Sequence, residues 1–140
     1  MFRFLFLVLG LVTFLFSADI AIVKKVGGEV FVKRTSTMVP LSVGSQLQKE
    51  DIIMTKKASN VGLIFDDGTI LSLGENTILS IDDYIFKPEK KEFSFDLNMK
   101  KGYASFESGK IGKLAPKSVK FRVPEGIVGI RGTKFYVEVK

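Results

Sequence analysis

Asn60-Val61-Gly62-Leu63-Ile64-Phe65-Asp66-Asp67-Gly68-Thr69-Ile70-Leu71-Ser72-Leu73 is the stretch that decides the fold. Val61, Leu63 and Phe65 alternate on one face of an extended segment, because successive side chains of a strand point to opposite sides. Asp66-Asp67-Gly68 then marks a turn, since glycine accepts positive φ at no steric cost. The strand pattern resumes at Ile70. Eight residues on, Thr77-Ile78-Leu79-Ser80-Ile81 echoes Thr69-Ile70-Leu71-Ser72-Leu73, with Gly74, Glu75 and Asn76 between. Such an echo fits either stacked or adjacent rungs of a sheet or a plain hairpin, and two copies do not separate these readings.

The same alternation extends outward. Val30 and Val32 oppose Glu29 and Lys33, and residues 52–55 form another strand. Beyond the charged, Pro88-containing loop of residues 87–92, the residues Phe93, Phe95 and Leu97 share a face. Residues 103–107 follow Gly102, residues 108–113 read as a loop, and Val119, Phe121 and Val123 alternate with Lys120 and Arg122. Pro124-Glu125-Gly126 is a turn, residues 135–139 are a terminal strand, and Lys134 to Val139 is one candidate edge for docking another protein's strand. About ten short strands, with turns every eight to twelve residues, predict an all-β domain, either a short β-solenoid-like stack or a sandwich.

Residues 1–18 differ. Arg3 precedes the apolar run of residues 4–16, and Ser17 and Ala18 supply small residues, the pattern of a secretory signal peptide cleaved after Ala18. An uncleaved anchor is the alternative, extended by Ile20 to Val23 but interrupted by Asp19. The expected organisation is therefore a signal peptide at 1–18 and one β domain at 19–140, exported to the periplasm, cell surface or medium.

Chemistry is limited by composition. The 140 residues include no Cys and no His, which excludes disulfides, thiolate metal sites and histidine general bases. The chain is read as non-catalytic, with no cofactor and no metal. Its formal charge is +6, and only Arg3 of the basic residues lies in the leader. A basic exported protein attracts lipid phosphates, anionic glycans or an acidic protein face rather than nucleic acid. Lys56-Lys57, Lys90-Lys91 and Lys100-Lys101 flank turns, and read as solvated tips or together as a basic patch. Asp66-Asp67 and Asp82-Asp83 lack calcium-loop spacing and read as turn residues.

Three segments resemble the FecR family: Val26-Gly27-Gly28-Glu29-Val30-Phe31-Val32-Lys33-Arg34; the run from Leu41-Ser42-Val43-Gly44 through Leu47, Asp51, Ile52, Thr55 and 58–61 to Phe65-Asp66-Asp67-Gly68-Thr69; and residues 123–135, ending Ile130-Arg131-Gly132-Thr133-Lys134-Phe135. In two places the chain departs from the family pattern. Glu50 stands where a glycine usually precedes the aspartate, and Ile130 replaces valine in the Val-Arg-Gly-Thr-x-Phe signature. The resemblance implies a β-rich periplasmic domain. The sigma-regulator role of its best-known members is not carried over, because this chain shows neither their cytoplasmic segment nor an internal span.

Asp67, Gly68, Gly129, Arg131, Gly132 and Thr133 are the signature or partner-contact candidates. Gly126, Gly129 and Gly132 recur every third residue and allow exposed amides that cup an anion, with Arg131 adding a bidentate contact. The alternative pairs Arg131 with Asp66 or Asp67. The expected function is a protein-interaction or scaffold module of the bacterial envelope, with an envelope protein as partner. A signalling partner of a membrane regulator and an anionic-glycan or lipid-binding module are the alternatives.

Overall fold

A computed structural model describes residues 18–129 and 134–140. It is nearly all β, and its strands join one curled sheet in the order β3-β2-β5-β8-β9-β7-β6-β1-β4, with β10, β11 and β12 attached around β9. The strands are β1 (Asp19–Gly27), β2 (Val30–Arg34), β3 (Thr37–Pro40), β4 (Gln46–Gln48), β5 (Ile52–Thr55), β6 (Asn60–Phe65), β7 (Ile70–Leu73), β8 (Ile78–Lys87), β9 (Glu92–Glu107), β10 (Val119–Val123), β11 (Gly126–Val128) and β12 (Lys134–Val139). All pairings are antiparallel except β9 with β10. The leader expected at 1–18 lies outside the described residues apart from Ala18.

The sheet has two halves, and β9 belongs to both. Residues 92–101 of β9 pair with β8, and 104–107 pair with β7. The repeat is explained by this arrangement. β7 and β8 do not pair with each other; they run one after the other along the same long partner. Thr69 and Thr77, the first residue of each copy, are both buried and both hydrogen-bonded through their hydroxyls. The expected separate strands at 92–97 and 103–107 are therefore one strand of 16 residues. The break expected at Gly102 is a bend in it.

At that bend the chain crosses from one half to the other, and the same happens at β1–β2, β5–β6 and β7–β8. These corners lie side by side and form a seam. Thr55 Oγ1 donates to the Gly74 carbonyl (2.6 Å) and accepts from the Thr77 amide (2.9 Å). Thr77 Oγ1 accepts from the Tyr103 amide (3.0 Å) and donates to the Gly74 carbonyl (3.0 Å). Ser59 Oγ accepts from the Glu29 amide (2.9 Å). Kinked strands cannot satisfy their own ladders, and these buried hydroxyls take the place of the missing partners. Gly102 has φ of +110° and is packed directly against Thr77, so a Cβ there overlaps the threonine.

Between the halves runs a chain of rings. Phe65 of β6 lies 4.7 Å from Phe95 of β9 and 5.3 Å from Tyr84 of β8. Phe95 meets Phe106 at 5.7 Å, and Phe106 stacks on Phe135 of β12 at 5.1 Å. Phe121 of β10 meets Phe135 edge-on at 5.7 Å. Phe65, Phe95, Phe106 and Phe121 are fully buried. Each contributes roughly 1.5–3 kcal/mol of transfer energy, with edge and offset geometry adding to it. The alternating phenylalanines of the second half are thus core residues.

The loop expected at 108–113 contains a short helix, α1 (Lys110–Leu114). Gly102→Ala is expected to lower stability by several kcal/mol, because overlap with Thr77 adds to the backbone cost. Gly44→Ala, with φ of +92° but no atom within 4 Å of the new Cβ, should lose only about 1–2 kcal/mol. Denaturant melts of the two variants check this ordering.

Candidate functional site

Asp67 is the first of the expected site residues, and it is 1% exposed. Its carboxylate accepts four hydrogen bonds. Oδ1 takes the Tyr84 hydroxyl (3.0 Å) and the Thr69 amide (3.2 Å), while Oδ2 takes the Thr69 hydroxyl (2.8 Å) and the Ile111 amide (3.1 Å). Its own amide donates to the Tyr84 oxygen (2.9 Å), and its carbonyl accepts from the Lys110 amide (2.9 Å). A carboxylate has about four acceptor positions, and all four are filled. Asp67 therefore ties the β6–β7 turn to β8 and to the start of α1, and it leaves no position for a partner's cation. Burial, then the Asp67 charge, pushes the Tyr84 hydroxyl far above the ordinary phenol range, so the tyrosine stays a neutral donor.

Gly68 occupies the exposed turn beside it, at φ of +87°. Gly129 is exposed, next to Ile127, and lines a shallow groove with Pro116, Lys117, Val119 and Lys120. Arg131, Gly132 and Thr133 lie outside the described residues, as does any pairing of Arg131 with Asp66 or Asp67. Lys134, which follows them, opens β12 opposite Glu107.

A second buried carboxylate was not among the expected site residues. Asp51, 1% exposed, accepts from Arg34 Nε (2.9 Å) and Nη2 (2.7 Å) and from the Gln48 amide (2.8 Å). The preceding Glu50 has φ of +75°. The glycine usual at this position suits that backbone, and here a glutamate adopts it. The Asp82-Asp83 pair is not at a turn as expected but inside β8, at a register shift against β9. Asp83 accepts from the Ser94 hydroxyl and pairs with Lys49 at 3.0 Å; the Ser94 bond is the main reason its carboxyl sits below the usual carboxylate range. Among the described residues there is no group of three or more acidic, His or Cys side chains able to hold a metal. Nor is any described helix long and apolar enough to cross a membrane.

What the fold leaves open is its edges. Every residue of β3 is exposed, and the strand pairs only with β2. Met38 and Val39 point to opposite faces at 48% and 46% exposure, and Val43 in the next turn is 66% exposed. Beside them is a groove of about 440 Å³, lined in part by Val32, Thr35, Val39, Pro40 and Leu41. Thr35, at the tip of the β2–β3 hairpin, has φ of +58°, an outlying conformation for a β-branched residue. Of the other edge strands, β12 carries charges at Lys134 and Glu138, whereas β4 and β11, like β3, carry none; among these edges β3 alone is exposed at every residue.

The family model described as FecR protein matches residues 51–140, and the chain belongs to the FecR family. Members of this family are envelope-associated and act in signalling rather than catalysis. No curated protein and no solved structure matches the chain. The match opens at Asp51 and includes Asp67 and the signature at 129–133, whereas the resembling segments at 26–34 and 41–47 precede it.

Asp67→Asn replaces two acceptor positions by an NH₂ facing donors. It is expected to lower stability by about 2–4 kcal/mol, since hydrogen bonds to a charged group carry roughly 1.5–3 kcal/mol and an unmade buried one adds its own penalty. Tyr84→Phe should lose less, about 1–2 kcal/mol. Thermal melts of both variants provide the measurement. A second comparison tests the turn at Glu50. Glu50→Gly should be neutral or mildly stabilising, within about 1 kcal/mol, whereas Glu50→Val should destabilise, because left-handed backbone costs a residue with a Cβ about 1–2 kcal/mol.

Proposed function

We propose that this protein is an exported, non-catalytic interaction module of the bacterial envelope that docks a partner protein along β3. Residues 1–18 serve as its export signal, and residues 19–140 form the mature domain. The observation that carries the reading is the edge itself: a strand paired on one side only, uncharged and exposed at every residue, with apolar side chains on both faces. Natural sheet edges are blunted by charges, by proline or by being short. β3 carries no charge, and its four residues end on Pro40, which leaves residues 37–39 to accept a short strand from another chain; main-chain groups of that strand supply affinity and its alternate side chains enter the neighbouring groove. Family membership supports an envelope signalling context for the partner.

The buried carboxylates favour this reading over catalysis. Asp51 and Asp67 hold turns: Asp51 accepts three hydrogen bonds, from Arg34 and the Gln48 amide, and Asp67 four, from Tyr84, Thr69 and the Ile111 amide.

Val39→Lys and Met38→Lys test the proposal. Both side chains are about half exposed, so melting should move by less than a few degrees. Chemical crosslinking in the native envelope, followed by mass spectrometry, should recover a protein partner with the natural sequence and at least tenfold less of it with either variant. Equal recovery with a charged β3 would refute docking at this edge.

A further inference from the structure

The seam that joins the two halves of the sheet also gathers charge. Lys56-Lys57 sits in the β5–β6 corner and Lys100-Lys101 in β9 just before the Gly102 bend, with the Gly74–Thr77 corner between them. Lys25, over Gly62 near the first corner, extends the row. Lys90-Lys91 stands apart, in the β8–β9 hairpin turn. Of the three doublets in the sequence, the fold thus brings two together on one ridge. Successive corners are one strand spacing apart, about 4.8 Å, so the ridge from the β1–β2 corner to β9 runs about 15 Å.

These lysines are exposed, and none has a carboxylate within ion-pair distance. The ion pairs among the described residues are Arg34–Asp51, Lys49–Asp83 and Arg122–Asp96, all away from the ridge. Three acidic residues, Glu29, Glu75 and Glu138, lie along or beside it, and Glu75 spends an oxygen on the Ala58 amide (2.7 Å). Lys56 Nζ is held over the Phe31 ring at 5.9 Å.

Beside this row is a groove of about 220 Å³, with Asn76, Lys101, Gly102, Tyr103, Glu75 and Glu138 among its walls. Tyr103 is 48% exposed and lies over Gly74, where an added Cβ would stand 3.0 Å from the tyrosine Cβ and 3.5 Å from its ring. An exposed aromatic face next to an amide side chain and a lysine offers apolar stacking for the C–H face of a ring, together with donors and acceptors for its hydroxyls.

From these features we infer that the seam ridge binds a linear acidic polysaccharide. One sugar ring seats on Tyr103 with Asn76 and Lys101 around it, and Lys56, Lys57, Lys100 and Lys25 neutralise carboxylates of neighbouring units. The two doublets follow the line of the corners across adjacent strands, which suits a single polymer chain better than a flat bilayer. The aromatic groove adds a requirement for a sugar ring that bare phosphate does not meet. This surface adjoins β3 only where Lys56 reaches Phe31, the β2 residue paired with Pro40.

The experiment uses the purified mature protein and three probes: sodium polygalacturonate, uncharged dextran, and vesicles containing phosphatidylglycerol. Binding is read by calorimetry and co-sedimentation at low and at physiological salt. The variants are Lys56→Glu/Lys57→Glu, Tyr103→Ala and, as a charge-matched control, Lys90→Glu/Lys91→Glu. Melting temperature confirms that each one folds, and Tyr103→Ala at an exposed position is retained if the lysine variant does not. Polygalacturonate should bind the natural sequence, weaken steeply with salt, and weaken at least tenfold in the seam variant and in Tyr103→Ala, with no change in the hairpin-turn control. Dextran should not bind. The inference fails if polygalacturonate does not bind, if the hairpin-turn variant loses as much as the seam variant, if Tyr103→Ala binds normally, or if the vesicles bind as tightly as the polysaccharide.

Discussion

Where four strands leave one half of the sheet and enter the other, their backbones give up regular ladder partners at the same place. The hydroxyls of Thr55, Thr77 and Ser59 and the close contact at Gly102 make good that loss. Everything inward depends on this seam. It sets the angle at which the halves face each other, and so lets Phe65, Phe95, Phe106 and Phe121 interdigitate. A desolvated amide without a partner costs about 1–3 kcal/mol, so a seam without its hydroxyls would offset much of what the rings contribute. No buried side-chain polar atom among the described residues lacks a partner.

Much of this architecture is legible in the sequence, because its strands are half-buried and alternate cleanly. Val61-Leu63-Phe65 and Val119-Phe121 show their inner face directly. The all-β class follows from such segments. What escapes a linear reading has physical causes. β3 is exposed at every position, so it has no alternation to detect. β4 is only three residues long. β1 begins soon after the apolar run of residues 4–16, which blurs its start in the sequence. β9 reads as two strands because Gly102 looks like a terminator, although neighbours on both sides hold the bend inside one element. The helix at Lys110 depends on an amide reaching Asp67, 44 positions earlier.

The carboxylates show the same limit at the level of the site. Asp66 and Asp67 look alike in sequence, yet one is exposed and the other is the most fully occupied acceptor in the described fold. The inward tyrosine of β8 is the available clue, since a buried phenol needs a partner. Glu50 is a more direct case. Its departure from the family's glycine falls at a position whose backbone is left-handed, so the glycine preference has a conformational reason. The surfaces divide along the chain as well. The β3 edge precedes the region matched by the family model, while three of the four seam corners lie within it.

The central place of β9 also has a temporal side. Its sixteen residues touch β7, β8, β10 and β12, and no other strand unites both halves through its own length. During synthesis, β1 to β8 emerge before it, with their inner faces made and nothing central to close upon. Contacts so distant in sequence form slowly. The nascent polypeptide therefore stays open, and available to whatever handles unfolded chains, until roughly its last third has appeared.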